Sequence, residues 1–529
     1  MRFLIESSNA PRALLGALAL ALVARLTLAL LAPYAVSPDG VTNLEMARAI
    51  RDGRFADLSY FHPLYPTLIA LLSPSKGTHE VAGRFLSLLF AVLTLFPLHS
   101  LARALADEAV AWRTVLIAAL WPIHALHSVE VLNMAVYVFF VVAFLDSGWR
   151  SLRADADSNP RGLTASSLYL IAAYWTRPEA IGLWLLFLGA VSLTAFRRPH
   201  TGRFLARLRR LAVVAAIFLA GILPYALFLR WQTGVWTPSR YLTNITAHTS
   251  AQPERMLPHR IHNETVSTGY LLNGILNHAG GIATKYAVNL GRLILRWTPE
   301  LFPLRVLAPV WLLIVVVGWL WFFSRGKRRE WAWLAATTFA SMSVVALHGG
   351  TSRYLLPILP ALLIWLAAGL RRMEEGFLSK WTRIPALTVT ACAIAGPFAI
   401  EPILREGLGA RAYFPVELRL AGLELREAHS EIKTVLARKP QVGFYAGIPT
   451  AAPSMWTPDG IRAAFPVGAT DVALAVDERD TLELFPDLAI FLHDPPPQGW
   501  RILVEQREPP AIRILAPVPP ADSNDEGDG

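Results

Sequence analysis

The sequence predicts a polytopic α-helical membrane protein with a small C-terminal α/β domain, and three observations carry that reading. Hydrophobic types make up 54% of the 529 residues, charged types only 17%, and the mean hydropathy is +0.41. A soluble chain of this length needs more polar surface than that leaves. The apolar residues fall in long runs, and about 20 of them in a row cross a bilayer. Beyond Pro402 the composition shifts to short, mixed segments. The net charge of +10 resides in short gaps between apolar runs, which reads as membrane topology rather than nucleic-acid binding. The single cysteine, Cys392, excludes an intramolecular disulfide and any multi-cysteine metal site. Neither a Walker A loop nor a GxGxxG motif is present, so nothing suggests nucleotide or dinucleotide chemistry.

The first apolar run, 13–33, is too long for a signal-peptide core and lacks a small-residue cleavage site, so it predicts a helix. Further runs lie near 82–102, 113–127, 130–146, 163–176, 180–196, 211–231, 306–323, 331–347, 355–370 and 384–400. That predicts about eleven transmembrane helices, several on the short side of the usual length. With the N-terminus cytoplasmic, the inner loops collect Arg150, Arg153 and Arg161, then Arg197–Arg210, then Arg325–Arg329, then Arg371–Arg383. The short outer loops carry only Arg177 and Arg353. The positive-inside rule therefore puts the N-terminus in and the C-terminus out.

Two outer loops are long. In the first, 34–81, Val41–Arg51 and His62–Leu72 have helical spacing and predict amphipathic interfacial helices. The second, about 232–305, begins beside Trp231 and holds Trp236, Tyr241, Tyr270, Tyr286 and Trp297, suited to the headgroup zone. In the outer domain, 401–516, Leu418–Leu436 reads as an amphipathic helix. Val442–Tyr445, Val472–Val476, Leu488–Phe491, Arg501–Val504 and Ile512–Leu515 read as short strands. The tail 517–529 is Pro-rich, then acidic, and its composition predicts disorder.

Function must then come from polar groups gathered on one side of the membrane. Ser37-Pro38-Asp39-Gly40 follows the first helix directly. A carboxylate at that boundary can act as a general base toward an acceptor hydroxyl; the plainer reading makes Asp39 the N-cap of a helix starting at Val41. In Tyr60–Pro66 two prolines fix the backbone at a helix start. His62 there is a candidate phosphate or metal ligand, or a hydrogen-bonded structural histidine, and Tyr65 is a candidate substrate contact or an interfacial anchor. Thr176-Arg177-Pro178-Glu179 occupies the tight outer connection between the fifth and sixth spans. Arg177 either pairs with Glu179 to close the turn or faces an anionic lipid headgroup. His348–Tyr354, with Arg353, makes the matching turn before the tenth span. Arg25 lies within an apolar run and reads as structurally paired, whereas Glu130, at an outer helix end, is open to a role in a cavity.

These residues carry a resemblance. An Asp directly after the first helix, an amphipathic stretch ending in Gly (Ala47–Gly53), and His62-Pro63-Leu64-Tyr65-Pro66 together resemble the bacterial GT-C glycosyltransferases. The look-alikes are the protein O-mannosyltransferase-like and aminoarabinose transferase-like enzymes. Tyr174–Glu179, Gly234-Val235-Trp236-Thr237 and Arg353–Pro360 agree in order and placement. The resemblance spans 13–400 and extends the fold expectation to a bundle of GT-C type. It implies a transferase that passes a single sugar from a polyprenyl-phosphate carrier to an envelope lipid, glycan or protein hydroxyl on the outer face, with inversion. In this reading Asp39 is the base. His62, Tyr65, Arg177, Glu179, Arg353 and Tyr354 bind substrate, and Arg240 and Lys285 are further cations on the same side. The chain departs from the family pattern in having Asp39-Gly40 where an acidic pair is common, and Asn43 where an aromatic is common. Some relatives bind a divalent metal and others need none; His62 and Glu130 are the candidate ligands here. The competing expectations are a transporter or lipid-linked-glycan flippase, an O-antigen ligase or polymerase, and a receptor-like scaffold whose outer domain does the binding.

Overall fold

A computed structural model of the chain describes residues 10–31, 35–55, 61–153, 160–196, 204–240, 276–303, 305–348, 352–375, 388–393, 415–453, 455–466, 469–507 and 510–518. They divide into two compact units, Met1–Leu31 with Asn43–Pro402, and Ala32–Thr42 with Ile403–Gly529.

The first unit is helical. It opens with α1 (Ala10–Leu31); α2 (Pro38–Arg51) begins in the second unit and continues into the first. Then come α3 (Leu64–Leu72), α4 (His79–Leu93), α5 (Leu95–Leu105), α6 (Glu108–Leu120), α7 (Pro122–His127) and α8 (Met134–Arg153). They are followed by α9 (Pro160–Thr176), α10 (Ala180–Phe196), α11 (Phe204–Thr233), α12 (Ala279–Arg292), α13 (Ala308–Ser324), α14 (Arg328–His348) and α15 (Leu359–Met373). A 3-10 turn at Ser352–Ile358 leads into α15.

Helices thus occupy the first ten predicted apolar runs. Pro122 divides the run at 113–127 into α6 and α7, since its ring cannot continue the preceding helix. Among the described residues, four helical stretches are long and apolar enough to cross a membrane: His79–Leu105, Met134–Arg153, Arg209–Thr233 and Ser352–Met373. Leu14–Leu30, Ala180–Leu193 and Ala308–Ser324 are apolar but shorter. Of the run at 384–400, residues 388–393 are helical and the rest lies outside the described residues, so among the described residues four spans meet the length and the full eleven are not confirmed.

Close packing holds the bundle. Trp121, Trp321, Trp365, Phe144, Phe187 and Phe218 are fully buried, and the Trp121 indole donates to the Leu301 carbonyl at 2.6 Å. α13 and α15 touch backbone to backbone. A Cβ on Gly318 would come 1.9 Å from the Trp365 carbonyl oxygen, and one on Gly369 would come 2.0 Å from that of Ile314. Small residues permit this approach between apolar helices. Arg25, expected to be paired, is fully buried. It donates to the Ala21 and Ala119 carbonyls at 3.1 and 2.7 Å and to His124 Nδ1 at 2.9 Å. It therefore caps the C-terminal end of α6, where a cation suits the exposed carbonyls. Basic side chains of α6, α8 and α15 are ion-paired. Arg113 meets Glu374 at 2.7 Å, Arg371 meets Asp107 and, at 2.7 Å, Glu375, and Arg150 meets Asp146 at 2.9 Å.

In the second unit α16 (Val416–Ala428), α17 (Gln441–Ala446), α18 (Pro458–Ala464) and α19 (Glu478–Glu483) accompany a mixed sheet. Its strands are β1 (Thr434–Leu436), β2 (Thr450–Ala451), β3 (Val472–Asp477), β4 (Trp500–Gln506) and β5 (Ile512–Pro517), in the order β2-β1-β3-β5-β4. β1 runs parallel to β2 and β3, while β5 is antiparallel to β3 and β4. Leu418, Ala421 and Leu425 of α16 bury against Val504, Ile512 and Ile514.

Three sequence readings are corrected here. The helix predicted over Leu418–Leu436 stops at Ala428, and its last three residues form β1. Val442–Tyr445 is not a strand but the body of α17, which starts after Pro440 and stops at Gly447, in the left-handed region at φ +76°. Leu488–Phe491 is not a strand either: it belongs to a 3-10 turn opened by Pro486. Both short apolar runs fit either period, and the flanking proline and glycine decide. Residues 519–529 of the acidic tail lie outside the described residues.

Candidate active site

Asp39 belongs to the second unit. The helix carrying it starts at Pro38, three residues earlier than the apolar pattern implied. Ser37 takes the cap: its Oγ accepts from the Gly40 amide at 3.2 Å, and its carbonyl accepts from the Val41 amide at 2.9 Å. Pro38 then fills the first helical position, where no amide is needed. The N-cap reading of Asp39 is thereby removed. Its half-buried carboxylate sits in the first turn, where the helix dipole favours negative charge. At the far end Gly53, at φ +72°, closes α2. The Arg54 and Gly53 amides donate back to the Ala49 and Ile50 carbonyls, which is the paired bonding of a Schellman stop. Arg51 then holds this end against α3, donating to the Ser73 and Pro74 carbonyls at 2.8 and 2.7 Å.

Within the first unit the other candidates gather at one end of the bundle. Arg177 forks onto Glu179, with Nη2 2.6 Å and Nε 3.2 Å from Oε1, and its Nη1 donates to Asn133 Oδ1 at 3.1 Å. Asn133, at the start of α8, in turn donates to the Thr176 carbonyl at 3.1 Å. The turn-closing pair therefore exists, and it is nearly buried, with side chains 10% and 8% exposed. The Tyr354 ring lies 4.8 Å from the Arg177 guanidinium and 5.1 Å from that of Arg353, which also donates to the Tyr354 hydroxyl at 3.3 Å. Tyr137 of α8 lies 6.0 Å from Arg177. Two cations thus share one aromatic plate, and the Glu179 carboxylate is forked onto one of them.

His62 is pinned beside this group. Its Nε2 is hydrogen-bonded to Ser239 Oγ at 3.0 Å, and its ring packs on Tyr174 at 4.8 Å and Tyr225 at 4.7 Å. The Tyr174 hydroxyl donates to the Pro238 carbonyl. The loop after α11, from Gly234 to Arg240, is thereby held against α9 and the start of α3. Burial pulls the His62 pKa down to about 3, against a smaller opposing effect of Glu179. The ring is neutral at ordinary pH and offers hydrogen bonds, not charge. Tyr65 is fully buried, with its hydroxyl donating to the Gly83 carbonyl and bonded to Ser87 Oγ, each at 2.9 Å. It joins α3 to α4, so its side chain is already engaged within the fold.

Arg240 is half-buried near Tyr225, and burial lowers its pKa. Lys285 on α12 is brought down to about 8 by burial. The carboxylate of Glu130 is taken by His127 Nδ1 at 2.9 Å. Among the described residues no three His, Cys, Asp or Glu side chains converge on a metal position. His62 and Glu130, the candidate ligands, serve separate partners, Ser239 and His127, so among the described residues these two do not come together as a metal site. Residues 349–351 of the turn before Arg353 lie outside the described residues, as do Tyr241 and Tyr270.

Sequence reasoning missed Asn133, Tyr137, Tyr225 and Ser239. Asn133 alone left a trace, as an amide near the start of the apolar run at 130–146. No family model matches the chain, and no curated protein sequence matches it. Solved structures do. The chain is similar to ArnT from Cupriavidus metallidurans bound to undecaprenyl phosphate, at 13% identity and TM-score 0.56, covering 96% of this chain and 98% of that one. It is similar to the oligosaccharyltransferase of Archaeoglobus fulgidus, solved with Zn and sulfate, at 12% identity and TM-score 0.56, over 88% of this chain and 68% of that one. AglB from the same organism, in complex with an inhibitory peptide and a dolichol-phosphate, aligns over 89% of this chain and 69% of that one, at 12% identity and TM-score 0.51. These are GT-C glycosyltransferases, and the fold of this chain is theirs.

Proposed function

We propose that the chain is an inverting glycosyltransferase that moves a single sugar from a polyprenyl-phosphate carrier to an acceptor hydroxyl on the outer face of the cytoplasmic membrane. The observation that supports it most is convergence. His62, Tyr174–Glu179, the loop at 234–240 and Arg353–Tyr354, separate in sequence, meet at one end of a bundle with the GT-C fold. ArnT and AglB were solved with undecaprenyl phosphate and a dolichol-phosphate, which supports a lipid-phosphate donor here.

In the proposed reaction the acceptor oxygen attacks the anomeric carbon from the face opposite the phosphate. The C1–O bond to phosphate breaks as the new C1–O bond forms, and the polyprenyl phosphate departs with the electron pair. Asp39 takes the acceptor proton, and one displacement inverts the configuration. Arg353 meets the charge growing on the leaving phosphate. Arg177, already forked onto Glu179, holds the plate on which Arg353 rests. His62 and Tyr65 are assigned to the framework rather than to the substrate. The basic clusters of the short loops support an N-terminus in the cytoplasm and a C-terminal domain outside.

Asp39→Asn tests the reading. It keeps size and removes the base, so turnover with a polyprenyl-phosphate sugar donor in reconstituted vesicles should fall by about 10²- to 10⁴-fold at unchanged expression. Undiminished turnover would remove Asp39 from catalysis. Mass spectrometry of envelope glycans and carrier lipids with and without the gene identifies the sugar as the one that disappears.

A further inference from the structure

We propose that the C-terminal domain is a positioning element for the first-loop acid, acting through Tyr445; the inference rests on the catalytic reading of Asp39. Residues Ala32–Thr42 belong to the same compact unit as that domain. Ala35, Val36 and Val41 are buried. The Val36 amide lies just ahead of α2 and has no place in the helix ladder, yet a buried backbone amide must find an acceptor. It donates to the Tyr445 hydroxyl at 2.9 Å, across 409 positions of sequence. One residue later Ser37 caps the helix, and two residues after that comes Asp39. Fixing Val36 therefore fixes where the helix begins and the direction its first turn presents.

Tyr445 is built to hold still. It lies on α17 between the proline-headed start and the left-handed Gly447. The ring is 8% exposed, has Phe444 at its edge at 5.2 Å, and has the Arg419 guanidinium over it at 5.5 Å. Gly422 of α16 lets the backbone close on it, because a Cβ there would come 2.9 Å from Tyr445 Cβ and 2.6 Å from the Val442 carbonyl oxygen. A residue engaged only in the domain's core would not need its hydroxyl aimed at the first loop.

Tyr445→Phe in the full-length enzyme keeps the ring and deletes the acceptor. We expect kcat to fall about three- to ten-fold, the size of one lost hydrogen bond, with the donor KM unchanged. Deuterium exchange in the peptide covering 35–42 should rise while the rest of the domain stays protected. In the Asp39→Asn background the same change should cost no further turnover, since a positioning residue acts through the group it positions. Unchanged exchange at 35–42 overturns the tether whether or not Asp39 is catalytic. Raised exchange with unchanged kcat, or an additive loss in the double variant, overturns the positioning role. Full activity of Asp39→Asn alone would instead sink the catalytic reading, leaving the exchange result to judge the contact by itself.

Discussion

The Arg177–Glu179 pair illustrates what a single buried charge costs in this molecule. Neither group is accessible enough to be rescued by water; each meets the other, and Arg177 also donates to Asn133. Glu179→Gln removes the carboxylate that the buried guanidinium forks onto and should destabilise the protein by about 3–5 kcal/mol, read as a lowered unfolding midpoint in detergent. The double change Arg177→Met with Glu179→Met should recover much of that loss, because it removes both desolvation penalties. His62 gives a pH dependence whose sign is fixed by burial. Its folded pKa of about 3 lies below the ordinary 6.5, so below 6.5 the unfolded chain binds a proton that the folded chain refuses. This contribution is fully present above pH 6.5 and is lost as pH falls toward 3, at up to ~1.4 kcal/mol per pH unit. His62→Gln should flatten the acid side of a plot of unfolding midpoint against pH. A steepness unchanged by that substitution would assign the acid sensitivity elsewhere.

At the level of elements, α2 is the informative one. Ser37→Ala removes a cap worth about 1 kcal/mol and should raise amide exchange through the first turn of α2 and lower turnover together. Asp39→Asn should lower turnover with that exchange unmoved, separating scaffold from chemistry. Helix positions were legible because long apolar runs leave few alternatives, but starts and stops were less so. The pattern placed the beginning of α2 at Val41, because Ser37 and Pro38 are polar or neutral to hydropathy and announce themselves only as a cap and first-position pair. Val442–Tyr445 was misread because four apolar residues carry no period; Pro440 and Gly447, on either side, held the answer. The clustering of Arg177 with Asn133, Tyr137 and Tyr354 was out of reach, since only helix packing brings positions so far apart in sequence together. The Arg177–Glu179 pairing, two residues apart, was within it.

Over the whole molecule, sequence charge makes a claim that labelling can check. The connection at Ser75 and the turn at Arg328 are both exposed, and the basic loops assign them to opposite faces. In a Cys392→Ser background, Ser75→Cys should react with an impermeant maleimide added outside intact cells, and Arg328→Cys only after permeabilisation. The reverse pattern would invert the proposed topology and move the acid to the cytoplasmic side. The glycine contact between α13 and α15 bears on motion during turnover. Carbonyl oxygens fill the space where side chains would stand at Gly318 and Gly369, so neither rod can slide along the other without lifting away. The two travel as one strut, so any opening of the helix wall falls at a seam elsewhere.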